Sequence, residues 1–127
     1  MTFSLEWDSR FKKNKNISVW PWSDLVSYVK RYSNFSKKNP KVLELGCGPG
    51  ANIPFFLSIT QNYYAIEGSS TIVKQLVKKF PKLKNNLVVG DFTLKIPFQK
   101  KFDMIYDRAA ITHNDTKSIL NCLENIH

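Results

Sequence analysis

At 127 residues, with 43% hydrophobic content and 17 aromatic side chains, the chain is the size of one domain and too apolar for a disordered one. No apolar run reaches transmembrane length, the first ten residues lack the apolar segment of a signal peptide, and Cys47 and Cys122 are too far apart for a metal or iron–sulfur ligand set; no membrane, no metal and a cytoplasmic location are the expectations. The formal net charge of +9 comes from 16 Lys and only 3 Arg, and several lysines (Lys74, Lys78, Lys79) fall on the polar side of a predicted helix, so it reads as a solvated face rather than a nucleic-acid surface, where arginine's planar fork is favoured.

Residues 1–40 form an N-terminal segment with three tryptophans, Trp7, Trp20 and Trp22. Ser23 is the expected N-cap of a helix reaching about Tyr32, with Leu25, Val26, Val29 and Tyr32 as its apolar stripe. Ser36-Lys37-Lys38-Asn39-Pro40 reads as a linker. Val42, Leu43 and Leu45 then make a short apolar run, the signature of a buried parallel strand, with Glu44 near its end. Gly46, Gly48 and Gly50 follow at alternate positions. A helix is expected over residues 52–58, with Pro54 tolerable in its first turn. Residues 63–67 read as a second strand ending in Glu67. Ser69 or Ser70 caps a helix whose face carries Ile72, Val73, Leu76, Val77 and Phe80. Residues 87–92 read as a third strand with Asp91 at its end, and residues 102–107 as a fourth. Asp115 starts a last helix carrying Ile119, Leu120, Leu123 and Ile126. The alternation of strands and helices predicts an α/β parallel sheet over residues 41–127.

The glycine run carries the functional reading. Glycines at a strand–helix corner let the backbone turn tightly and let a ligand approach the main chain, and open α/β sheets bind nucleotide-like cofactors there. Gly46-x-Gly48-x-x-Ala51 fits a loose dinucleotide fingerprint. Charge opposes that choice. A pyrophosphate needs free N–H groups and no neighbouring anion, whereas Glu44 suits a cofactor with a positive head. Glu44-x-Gly46-x-Gly48-x-Gly50, followed in order by Glu67, Gly90-Asp91 and the 102–107 strand, resembles the class I S-adenosylmethionine-dependent methyltransferases from about residue 41 to residue 126.

That resemblance implies a Rossmann-like methyltransferase fold and S-adenosyl-L-methionine as cofactor. It assigns cofactor binding to Glu44, Gly46, Cys47, Gly48, Gly50 and Asn52 at the first corner and to Glu67 and Gly68 at the second. Asp91 and Phe92 at the third and Asp107 at the fourth complete the set. Glu67 would accept hydrogen bonds from ribose hydroxyls, Asp91 would meet the adenine amino group, and an adjacent apolar residue would pack on the ring. Asp107, Arg108 and His113 would lie near the transferable methyl group. His113 is a candidate general base, and Arg108 a candidate ligand for a substrate carboxylate or phosphate. Blander readings stand beside these. Glu67 could be a solvated strand end, Asp91 a turn residue, His113 ordinary surface, and Cys47 a small filler rather than a reactive thiol. The N-terminal tryptophans are either a lid over the cofactor or simple packing.

The resemblance also implies seven strands in the order 3-2-1-4-5-7-6, so this sequence is expected to stop after four. It would then be the N-terminal portion of a longer product, a chain that pairs its open edge with another, or a minimal form. The expected function is methyl transfer to a small molecule or saccharide-type substrate. The alternative is a non-catalytic cofactor-binding or assembly module that needs a partner to complete the sheet, with self-association through the open edge.

Overall fold

The structure is a computed structural model, and it describes residues 5–14, 18–35 and 38–127. Ser36 and Lys37 of the expected linker lie outside the described residues, as do residues 1–4 and 15–17 of the N-terminal segment. Four parallel strands form one sheet: β1 (Val42–Leu45), β2 (Tyr63–Glu67), β3 (Leu87–Val89) and β4 (Met104–Asp107). Their order is β3-β2-β1-β4, so the direction of winding reverses at β1. Every residue of β1 and β2 is buried, which explains their unbroken apolar character.

Alternation along the strands separates two apolar layers. Val42, Tyr63 and Ala65 face a layer with Ile53, Phe56, Ile72 and Leu76, to which Phe11 and Val29 of the N-terminal segment belong. Leu43, Leu45, Tyr64 and Ile66 face a second layer with Cys122, flanked by Phe98, Phe102 and Ile126. Glu44 therefore points into the first layer, directly between Ala65 of β2 and Tyr106 of β4 in the register.

Among the described residues five α-helices accompany the sheet: α1 (Leu5–Lys12), α2 (Ser23–Tyr32), α3 (Ile53–Leu57), α4 (Ser70–Lys79) and α5 (Thr116–Ile126). Two expected caps form. Ser69 accepts a hydrogen bond from the Ile72 N–H, and Asp115 accepts one from the Ser118 N–H. Two expectations need correction. Ser23 is the first residue of α2 rather than its cap, a place taken by Trp22 without a side-chain bond. The third and fourth strands are shorter than expected. Asp91 folds into a turn, accepting from the Thr93 N–H at 2.9 Å, and Phe102 leaves the strand line to pack on Tyr64 and Phe98. On α5 the buried residues are Ser118 and Cys122, while Leu120 and Leu123 are 56% and 48% exposed. Among the described residues no helix is long and apolar enough to cross a membrane.

Candidate functional site

The reversal at β1 opens a cavity of about 310 Å³ beyond the carboxyl ends of the strands, where such sheets bind ligands. The glycine loop forms its floor. Gly46, Gly48 and Gly50 have φ of 67°, 50° and 79°, the left-handed region that favours glycine. None of their N–H groups is free for an anion: Gly46 donates to the Ile66 carbonyl, Gly48 to Glu67 Oε2 and Gly50 to the Cys47 carbonyl. With all three glycine N–H groups engaged and two carboxylates beneath, the loop is a poor fit for a pyrophosphate.

Glu44 is 2% exposed and lines this floor. Its Oε1 accepts from Asn52 Nδ2 at 3.0 Å, and its Oε2 accepts from the Tyr63 hydroxyl. Tyr106 brings a second phenol beside the same carboxylate, buried and without a hydrogen bond of good geometry. Burial pushes the Glu44 carboxyl up to about 7, opposed in part by the tyrosine and asparagine donors. Both phenols are pushed up as well, first by burial and then by the Glu44 charge.

Glu67, 4% exposed, lies at the second corner of the cavity. Its oxygens accept from the backbone N–H groups of Gly48 (2.8 Å) and Ser69 (2.9 Å). Burial raises its pKa, and those N–H groups oppose the rise. Each carboxylate oxygen has two lone pairs, so the side chain is held in place with acceptor capacity remaining. Asp91 combines two of its readings: Oδ1 closes the turn with Thr93 while the residue lines the cavity beside Phe92. Cys47 lines it too, as a buried thiol whose pKa is pushed well up by burial and the nearby carboxylates; it is a neutral filler.

The roof comes from the N-terminal segment. Trp7, Phe11, Ser18 and Trp22 line the cavity; Trp7 packs against the core, whereas Trp22 is 43% and Trp20 79% exposed. The Ser69 hydroxyl donates to Asp8 Oδ1, tying α1 to the cap of α4, and Lys12 pairs with Asp8 at 2.7 Å. These partners hold the Asp8 carboxyl down at about 2.

The loop after β4 supplies the remaining wall. Arg108 and His113 line the cavity as expected; the Arg108 guanidinium stacks 4.0 Å from the Trp22 ring, and His113 meets Trp7 edge-on at 5.0 Å. Arg108 Nε lies 3.5 Å from Asp24 Oδ2, an ion pair by distance without hydrogen-bond geometry. Two of the expected residues stand elsewhere. Gly50 is absent from the lining, because it packs on Leu76 and Ile53. Asp107 is also absent from the lining: its Oδ1 accepts from the N–H groups of Ala110 (2.8 Å) and Ile111 (3.0 Å). That turn holds Ala109 at a φ of 63° and brings Ala110 against Gly46. Sequence reading missed Tyr63 and Tyr106. Strand alternation, with β1 set between β2 and β4, places both on the Glu44 side and would have found them.

A sheet that reverses beside a glycine loop, with two buried carboxylates facing one cavity, has the architecture of the open α/β domains that bind cofactors at such a point. Residues 42–127 match the methyltransferase domain family, and the chain belongs to the class I S-adenosylmethionine-dependent methyltransferases. The fold is similar to CalS10, described as an amino pentose methyltransferase from Micromonospora echinaspora involved in calicheamicin biosynthesis, with TM-score 0.65 and 16% identity over 100% of this chain and 53% of that one. It is also similar to a TehB-like S-adenosylmethionine-dependent methyltransferase from Corynebacterium glutamicum (TM-score 0.63, 16% identity, 97% and 62% covered). A third likeness is to the glycopeptide N-methyltransferase MtfA complexed with sinefungin (TM-score 0.63, 20% identity, 82% and 43% covered). At such identities these likenesses bear on the fold alone. The chain spans about half the length of these structures. A comparison with curated proteins gives no match.

Proposed function

We propose that this cavity binds S-adenosyl-L-methionine and serves methyl transfer to a small molecule or saccharide-type substrate. The observation that carries the reading is the pair of buried carboxylates, Glu44 and Glu67, under a loop whose three glycine N–H groups are all engaged within the protein. When bound, the cofactor supplies a sulfonium methyl group for in-line transfer to a nucleophile. Glu44 then attracts the cationic end, Glu67 accepts from ribose hydroxyls, and Asp91 and Phe92 hold the base. Asn52 and Cys47 shape the floor, and Gly68 leaves room at the second corner. On the opposite wall Arg108 holds an anionic substrate group and His113 takes the proton of the attacking atom. Placement is the protein's main contribution, and alignment alone is worth about 7–11 kcal/mol.

Calorimetry tests the cofactor. S-Adenosylmethionine or its demethylated product should bind and NAD should not; the reverse result sinks the proposal. Glu67→Ala should weaken that binding by about 1.5–3 kcal/mol, the range for hydrogen bonds to a charged group, and Glu67→Gln by less. Unchanged affinity in Glu67→Ala would remove this residue from the site.

The outer edge of β4 supports the second reading, an assembly module. Among the described residues no strand pairs with that edge, and Tyr28, Tyr32, Phe35, Met104 and Ile105 line a groove beside it. Unpaired edges template further pairing. Sedimentation should show concentration-dependent self-association, weakened by Tyr32→Lys, and a monomer at all concentrations would contradict it. Methyl-transfer assays on the chain alone and with candidate partners separate the two readings.

A further inference from the structure

Asn52 sits at the N-cap position of α3, a place asparagine favours, yet its side chain makes no capping bond. The amide is engaged elsewhere. Nδ2 donates to Glu44 Oε1 at 3.0 Å, and Oδ1 accepts the Trp22 backbone N–H at 3.2 Å. Only this orientation satisfies both neighbours, because a flipped amide sets N–H against N–H and oxygen against carboxylate. The residue is 4% exposed, so no water competes freely for either bond.

Trp22 in turn begins α2 with an extended backbone and no side-chain cap, so its N–H depends on an outside acceptor. Among the described residues this is the one hydrogen bond joining residues 18–22 to the sheet domain. The Trp22 ring carries the Arg108 guanidinium, and Arg108 faces Asp24 of α2. A single amide thus joins the buried carboxylate of the floor to the aromatic roof and to the cation on the substrate wall.

We propose that Asn52 is a positioning residue: its side-chain amide couples the charge on Glu44 to the closure of residues 18–22 over the cavity. The coupling follows from hydrogen-bond strength. A donor facing a carboxylate forms a bond roughly twice as strong as one facing a neutral acceptor. An ionised Glu44 therefore fixes the Asn52 amide, and the fixed amide holds Trp22 and, through it, Arg108. A protonated Glu44 loosens that chain. The groups facing Glu44 are the Tyr63 hydroxyl from β2, the Tyr106 hydroxyl from β4, Asn52 ahead of α3, Cys47 of the loop and the Glu67 carboxylate. Its position on the pH scale, about 7, makes the coupling measurable near neutrality. The inference deepens the cofactor reading, on which it rests only for the effect of a cationic ligand on Glu44.

Hydrogen exchange at the Trp22 amide tests it, expressed as a protection factor so that the intrinsic pH dependence of exchange divides out. In ligand-free protein, protection at Trp22 should fall about ten-fold from pH 8 to pH 6, while the Val42 amide, bonded inside the sheet to the Asn62 carbonyl, should not lose protection. Glu44→Gln should flatten the Trp22 response, and Asn52→Ala should remove the protection. If Asn52→Ala fails to fold, the wild-type pH series and Glu44→Gln carry the test. Protection at Trp22 that is flat from pH 6 to 8, or intact in a folded Asn52→Ala, overturns the proposal. S-Adenosylhomocysteine should raise Trp22 protection in the wild type and not in Asn52→Ala. If the ligand-free results hold and this compound leaves Trp22 unchanged, the coupling stands and the cofactor reading fails.

Discussion

Replacing Gly50 by Ala should destabilise the protein more than replacing Gly48, although Gly48 and not Gly50 borders the cavity. A Cβ on Gly50 would lie 2.6 Å from Leu76 Cδ2 and 2.9 Å from Ile53 Cδ1, and the backbone there has a φ of 79°. Leu76 and Ile53 are 3% and 0% exposed, so neither can move without repacking its layer. A left-handed non-glycine residue costs about 1–2 kcal/mol and an overpacked core about 1–3 kcal/mol. The sum, about 2–5 kcal/mol, is a large share of a typical domain's stability of roughly 5–15 kcal/mol. At Gly48 the nearest atom to a built Cβ is Phe11 Cζ at 4.0 Å, so only the backbone cost applies. Gly48→Ala should remain folded and lose ligand affinity. Gly46→Ala should do both, since its Cβ would meet that of Ala110 at 2.4 Å and push the 109–113 loop off the floor. Denaturant midpoints, with the slope held constant, rank the three. A Gly50→Ala protein as stable as the wild type would mean that α3 and α4 pack otherwise than described.

Those three glycines also mark how far the sequence could be read. Their spacing gave the corner, and the corner gave the class of ligand. It could not divide them by task, because Gly50 is required by Leu76 and Ile53, which lie elsewhere in the chain. Local signals served well for Ser69 and Asp115, whose capping bonds reach only three residues. Asp107 shows the opposite. At a strand end in a site loop it reads as a cofactor ligand, yet its carboxylate is held by the Ala110 and Ile111 N–H groups. Turn geometry with Ala109 in the left-handed region leaves no residue-type signal, since alanine is not a turn former. On α5 the exposed Leu120 and Leu123 are what a sheet of four strands leaves uncovered. Periodicity gives the apolar side of a helix but not which side is covered. The Glu44 cluster required register: Tyr106 meets Glu44 only because β4 joins β1 with those residues opposite.

That cluster gives the last expected result: the free protein should be more stable at pH 5 than at pH 8. The Glu44 carboxyl is raised from an ordinary 4.5 to about 7 by burial, so the folded state binds its proton more tightly than the unfolded chain. The resulting stabilisation is full below about pH 4.5 and is lost as pH rises through about 7. A shift of that size corresponds to about 3 kcal/mol between those limits. Glu67, raised in the same direction, adds to the effect with the same sign. Asp8 works oppositely, since a carboxyl held at about 2 stabilises above its ordinary 3.8 and loses that contribution on acidification. Its window lies below that of Glu44 and does not mask it. Glu44→Gln keeps the shape: the amide oxygen accepts from Asn52, and the amide N–H can donate to the Tyr63 oxygen. The variant should therefore gain about 3 kcal/mol at pH 8, little at pH 5, and lose affinity for a cationic ligand. Urea unfolding at the two pH values measures the difference. A wild type whose stability rises from pH 5 to pH 8, or a Glu44→Gln protein with the same pH slope, would show that this carboxylate is not held at a cost. The expected pattern identifies Glu44 as a charge that destabilises the empty fold and is offset only by a positive group in the cavity.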